Sequence, residues 1–176
     1  MRDRATARTD GPDFAALAKR FDGPEVRALV LMGSFARGDA GPYSDVDLVR
    51  FFGPEAAVPD DESHLIAARL VTVSSVGPAQ VERWFDRPEA AVNAIGGLRT
   101  ARVLLDRDET FARVQTRAQH FEWDEAMQTK ADAWVSGEMV GWIEEVHKGL
   151  EGLRLDDVGR MLNARFGCSW GLARVM

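Results

Sequence analysis

Asp45 and Asp47 stand one residue apart in the run DVDLVRFF (45–52), where polar and apolar residues alternate. Alternation predicts a strand, and positions i and i+2 of a strand project from one face, so the two carboxylates would lie side by side. Side by side they repel unless a cation or solvent compensates them, and hard oxygen donors at that spacing suit a divalent ion, Mg²⁺ above all. Upstream, GSFARG (33–38) follows the dense aliphatic run VRALVLM. Gly33 would end a strand buried on both faces and Ser34 would open a helix, leaving free backbone N–H groups and a hydroxyl where a phosphate can sit. Arg37 offers a fork of donors matched to phosphate oxygens, and Gly38 lets the chain turn back at little steric cost. Mg²⁺ shared between such carboxylates and a nucleoside triphosphate is the arrangement of phosphoryl-transfer chemistry.

Taken singly, a Gly-Ser dipeptide or an Asp-X-Asp triplet is more often a capped turn or a solvated strand end. The order of strand, GSFARG, short spacer and SDVDL on a second strand is far more specific. The elements needed to position it can be read from periodicity. Residues 12–22 set Phe14, Leu17 and Phe21 on one helical face ahead of Gly23-Pro24, and 26–33 and 45–52 follow as strands. A third strand is expected over ARLVTVSSV (68–76), rich in β-branched residues and closed by Gly77-Pro78. Two short helices, a strand over ARVLLD (101–106) and a helical remainder complete the chain. The reading is α+β: a sheet layered with helices over residues 11–106, then a C-terminal helical region over 107–176.

Composition narrows the chemistry. With 176 residues, 45% of them hydrophobic, the chain can bury a core of one domain with a helical appendage. A net charge of −6 provides no broad cationic field for nucleic acid. The single cysteine, Cys168, excludes an intrachain disulfide and thiolate clusters, which fits a reducing, cytoplasmic setting, and the three histidines are too scattered for a zinc site. No apolar run approaches the length of a membrane span, and the Arg- and Thr-rich N-terminus reads as a tail rather than a signal peptide.

Over residues 33–48 the sequence resembles the nucleotidyltransferases of the DNA polymerase β-like superfamily, whose signature is GSxARG followed by SDxDL. The resemblance implies a small mixed sheet flanked by helices. It also implies transfer of a nucleoside monophosphate from a nucleoside triphosphate, ATP first among them, to an acceptor hydroxyl, with pyrophosphate leaving. By motif position Gly33 and Ser34 would hold the triphosphate, and Asp45 and Asp47 would bind Mg²⁺. Arg37 and Ser44 also match the signature. The residues themselves equally allow Arg37 a structural salt bridge and Ser44 the cap of a turn.

Members of this superfamily usually carry a third carboxylate on a later strand, yet no Asp or Glu occurs between Glu62 and Glu82, and Thr72, Ser74 and Ser75 are the polar candidates there. A hydroxyl is a poor base near neutral pH. A replacement is offered by Glu138, which interrupts the helical stripe Met127, Ala131, Trp134, Trp142, Val146 and Leu150. Between two tryptophans it would be partly desolvated and better suited to accept a proton, the alternative being an acid at the stripe edge. The run EEVHKGLEGLR (144–154) looks like the helical region of aminoglycoside adenylyltransferases, so that Lys148 would touch the triphosphate; Glu144 and Lys148 also form an ordinary i, i+4 pair. The apolar ending with Trp170, Leu172, Val175 and Met176 calls for a missing segment or a second copy, a homodimer.

Two functions follow. One is a Mg²⁺-dependent nucleotidyltransferase acting on a hydroxyl of a small, aminoglycoside-like acceptor, since an acidic pocket suits a polycation. The other is a non-catalytic nucleotide-sensing or antitoxin-like module that has lost its third carboxylate.

Overall fold

An unbroken aliphatic run is most stable where both of its faces are covered. VRALVLM takes that place as β1 (Val26–Met32), next to the centre of a five-stranded sheet, with Leu29, Val30 and Leu31 fully buried. The computed structural model describes the backbone of residues 11–173 and side chains through Ser169. Most of the expected N-terminal tail, and the terminal apolar side chains expected to need a partner, lie outside the described residues.

β1 pairs antiparallel with β2 (Val46–Phe52), which runs parallel to β4 (Arg69–Val76). Antiparallel edge strands β3 (Glu62–Ile66) and β5 (Arg102–Asp106) complete the order β3-β4-β2-β1-β5. The sheet is mixed and the class α+β, as expected. On one face, Leu17 and Phe21 of α1 (Phe14–Phe21) close a core with Leu31, Leu48 and Val73. On the other, the Phe51 ring meets Trp84 of α3 (Pro78–Asp86) and Phe111 of α5 (Thr110–Gln119). α4 (Pro88–Thr100) separates α3 from β5. Among the described residues no helix is long and apolar enough to cross a membrane.

Two strand expectations are corrected. β2 begins at Val46, so Asp45 lies just before the strand rather than within it. The Ser44 amide is engaged by the Gly41 carbonyl in a turn, and the ladder opens only with Val46 opposite Val71. β3 was not expected at all: ESHLI is an edge strand whose Ser63 and Leu65 side chains face solvent, and only its partner β4 defines it.

β3 and β4 are joined by Ala67 and Ala68, whose φ angles are +50° and +61°. Two consecutive positive φ values make a hairpin turn of the type that favours Asn-Gly. At the other end of that hairpin, Arg50 Nη2 donates to Glu62 Oε1 at 2.6 Å and to Ser75 Oγ at 2.9 Å, while Glu62 Oε2 lies 2.9 Å from His64 Nε2. The Arg50 hydrogen bond first, and His64 second, hold the Glu62 carboxyl below its usual range.

By contact density the chain divides into two units, one built from the chain up to Phe85 with Asn93–Phe121, the other from Asp86–Val92 with the chain from Glu122 onward. The second unit is dominated by α6 (Glu125–Leu155), whose N-terminus is capped by Asp124 accepting from the Met127 amide, and α7 (Val158–Ala173). Between them the chain turns at Asp156, with φ of +53°. The contact is made by small residues. A Cβ on Gly152 would fall 3.0 Å from Arg160 Cβ, one on Gly149 3.3 Å from Ala164 Cβ, and one on Gly167 2.8 Å from Glu145. The expected stripe is therefore corrected at its C-terminal end. Met127 and Ala131 are buried and Trp134, Glu138 and Trp142 half-buried, but the row continues through Glu145, Gly149 and Gly152, leaving Val146 and Leu150 exposed. Each four-residue step overshoots a full turn by about 40°, so unbroken steps of four drift off the face.

Two stability measurements test this description. Ala68→Gly, freed from the left-handed penalty on a Cβ, is expected to stabilise the chain by about 1 kcal/mol in urea unfolding. A Glu62 carboxyl with a lowered pKa contributes stability above the ordinary glutamate value of roughly 4.3 and loses it as pH falls through the folded-state value. The stability gap between wild type and Glu62→Gln should accordingly shrink on acidification below that value; a gap independent of pH would show that the Arg50 pairing contributes nothing.

Candidate active site

β1 and β2 bring the two signature segments together, with Met32 opposite Asp47 in the ladder. At Gly33 the chain leaves β1 with φ of +65°, and a Cβ built there would lie 2.0 Å from Asp47 Oδ2 and 3.0 Å from its Cγ. Both facts demand glycine: the backbone angle disfavours any L side chain, and the carboxylate already fills the space. Gly33 opens α2 (Gly33–Arg37), a five-residue helix whose first turn has no side-chain cap. Its C-terminus closes at Gly38, φ +84°, where the amides of Gly38 and Asp39 both donate to the Ser34 carbonyl. The two glycines differ in one respect, since nothing lies within 4 Å of a Cβ at Gly38.

Asp47 is half-buried, and its Oδ1 accepts a 3.0 Å hydrogen bond from Thr72 Oγ1, the residue opposite it on β4. Ser63 of β3 pairs with Thr72 in turn, so the row across the sheet reads Asp47, Thr72, Ser63. β4 carries no acid, as the sequence indicates, and the side chain nearest to Asp47 along the register is a hydroxyl. The hydroxyls of Ser74 and Ser75, the other polar candidates, are engaged further along the strand: Ser74 Oγ donates to the Asp61 carboxylate at 3.2 Å and Ser75 Oγ accepts from Arg50 Nη2 at 2.9 Å. Among the described residues no group of three His, Cys, Asp or Glu side chains is gathered to hold a metal ion.

Asp45 stands half-buried at the entrance to β2. The segment before it is tied down: Ser44 Oγ accepts from the Gly41 amide at 2.9 Å, the capping role that its residue type allows. Arg69, at the start of β4, donates to the Ser44 carbonyl and lies over the Phe35 ring, 5.1 Å from its centroid. Arg69 was not singled out from the sequence. Twenty-five positions separate it from Ser44 and only the parallel pairing of β2 with β4 joins them, so no local signal existed to find it. Arg37 makes an exposed ion pair with Asp39 at 3.2 Å.

The remaining two candidates belong to the second unit. Glu138 is half-buried on α6. Lys148 pairs with Glu145 at 2.7 Å and Glu144 at 3.1 Å, and those carboxylates, Glu145 foremost, raise its pKa. This is the surface ion-pair reading of EEVHK.

The close approach at Gly33 has a measurable consequence. Gly33→Ala should cost about 1–3 kcal/mol in urea unfolding, and more than Gly38→Ala, which bears only the backbone penalty. Equal losses would mean that the Asp47 carboxylate yields without cost.

A family model described as a nucleotidyltransferase domain matches residues 15–87, which contain both signature segments. Among solved structures, a crystal structure of a nucleotidyltransferase-like protein from Exiguobacterium sibiricum 255-15 is similar at 13% identity and a TM-score of 0.44, over 92% of this chain. The chain spans about half, 52%, of that protein. No curated protein matches the sequence. Residues 15–87, the head that carries GSFARG and SDVDL, are thus similar to a nucleotidyltransferase domain, in line with the resemblance read from those two segments.

Proposed function

We propose that the head binds a nucleoside triphosphate together with Mg²⁺ and transfers its nucleoside monophosphate to a hydroxyl of a small-molecule acceptor. The observation that carries this reading is the bare Cα of Gly33 against Asp47 Oδ2. It lets the Asp47 carboxylate stand directly against the strand end, with its other oxygen held by Thr72. The donor set fits a hard divalent cation: Asp45 and Asp47 supply oxygen ligands, and the remaining positions would fall to phosphate oxygens and water. When bound, Mg²⁺ would neutralise charge on the triphosphate and relieve the repulsion between the two carboxylates.

The chain's own residues then divide the work. Gly33 admits the phosphates close to the backbone, and the Ser34 hydroxyl is available to an outer oxygen. Arg69 and Ser44 fix the carbonyl and turn that deliver Asp45. ATP is the first nucleotide to test, and the excess of acidic residues favours a polycationic acceptor of the aminoglycoside kind. A single cysteine supports a reducing, cytoplasmic setting.

A specific observation favours a second reading. The hydroxyl of Thr72, opposite Asp47, cannot serve as a base near neutral pH. A head that binds nucleotide without turnover, as a sensor or antitoxin-like module, has the same binding residues.

Calorimetric titration with ATP, GTP, CTP and UTP, with and without Mg²⁺, separates these cases. Mg²⁺-dependent binding is expected, and Asp47→Asn should abolish it while leaving the unfolding transition unchanged or slightly raised. Affinity unaltered in Asp47→Asn would sink the assignment. Pyrophosphate released on adding an aminoglycoside supports the transferase, whereas tight binding without release to any hydroxyl acceptor supports the sensor.

A further inference from the structure

The hairpin of α6 and α7 has two unlike sides. Its helices meet through Glu145, Gly149 and Gly152 on one and Met161, Ala164 and Gly167 on the other. To one side of that contact row, Glu144, Lys148, Glu151, Arg160 and Asn163 line a shallow polar groove. To the other side α6 presents Met139, Ile143, Val146, Leu150 and Leu153, all between 49% and 65% exposed. On α7, Val158 and Leu162 are 60% and 59% exposed. Turning by about 100° per residue from each helix's contact row puts both sets on the same side of an antiparallel pair.

The α6 set advances in steps of four, three, four and three residues. That is a 3.5-residue repeat, the spacing that keeps an apolar seam facing another helix over several turns. The acids of the segment, Glu144, Glu145 and Glu151, all lie on the contact row or the polar side, so the seam is depleted of carboxylates as an interface core requires. The polar side mixes these acids with Lys148 and Arg160, unlike the basic face of a helix that settles on anionic lipid.

We infer that this apolar side of the α6–α7 hairpin is a homodimer interface, docked on the same side of a second copy. At roughly 100 Å² apiece, the seven side chains and their neighbours offer on the order of 800 Å² per copy, which is what one partner of a stable interface buries. A two-fold axis pairs the patch with itself and closes the assembly, because two helices from each copy make a four-helix layer.

Light scattering of the full chain across micromolar concentrations should give twice the 19.4 kDa chain mass. The urea midpoint should also rise with protein concentration, which needs no variant. Ile143→Glu and Leu150→Glu are each expected to weaken the dimer at least about tenfold with helical circular dichroism retained. Leu150→Gln replaces either variant that fails to fold. A monomer with a concentration-independent midpoint would overturn the inference, as would a dimer that all the variants leave intact. A monomer that sediments with phosphatidylglycerol vesicles would overturn it in favour of a membrane surface.

Discussion

One oxygen of Asp47 occupies the place where a side chain on residue 33 would begin, and the arrangement of the head follows from that approach. Met32 and Asp47 are paired across β1 and β2, so the carboxylate can stand at the strand end only if the chain leaves β1 without a Cβ and through a left-handed angle. The five residues of α2, the left-handed Gly38 and the turn from Gly41 to Ser44 then return the chain within the short distance to β2. Glycine is required twice over at position 33, once for angle and once for space, and only for angle at position 38.

The carboxylate so placed is polarised unequally. Oδ1 is committed to the Thr72 hydroxyl, while Oδ2 lies against the bare backbone of Gly33. β4 thus contributes hydrogen bonds in place of a third acid: Thr72 on Asp47, and Arg69 on the carbonyl of Ser44. Hydrogen bonds of this kind restrict rotamers more than they add net stability, and restricted rotamers are what a binding site needs.

The second unit obeys a different constraint. Helices that approach through Gly149, Gly152, Ala164 and Gly167 come together closely but bury few large side chains in doing so. Leucine, isoleucine and valine are displaced to the flank, where the pair by itself offers them nothing to pack against. Close backbone approach and large apolar cover are alternatives at one contact row, and this hairpin takes the first.

How much was legible depends on the range of the interactions involved. The buried run of β1, the alternation of β2, the glycines of GSFARG and the paired aspartates are local patterns, since period and residue type report burial and turn within a few positions. They determined the α+β class and the nucleotidyltransferase head. The start of β2 and the role of Arg69 depend on partners twenty-five positions away, the polar edge strand β3 exists only through its hairpin pairing with β4, and no local pattern encodes a register. On α6 the sequence displays two overlapping apolar rows, Met127, Ala131 and Trp134 on one and Ile143, Val146 and Leu150 on the other. Periodicity shows that rows exist, but which face is covered along Glu145, Gly149 and Gly152 depends on where α7 returns. The tertiary structure alone decides that, through the fit of glycine and alanine against the opposing backbone.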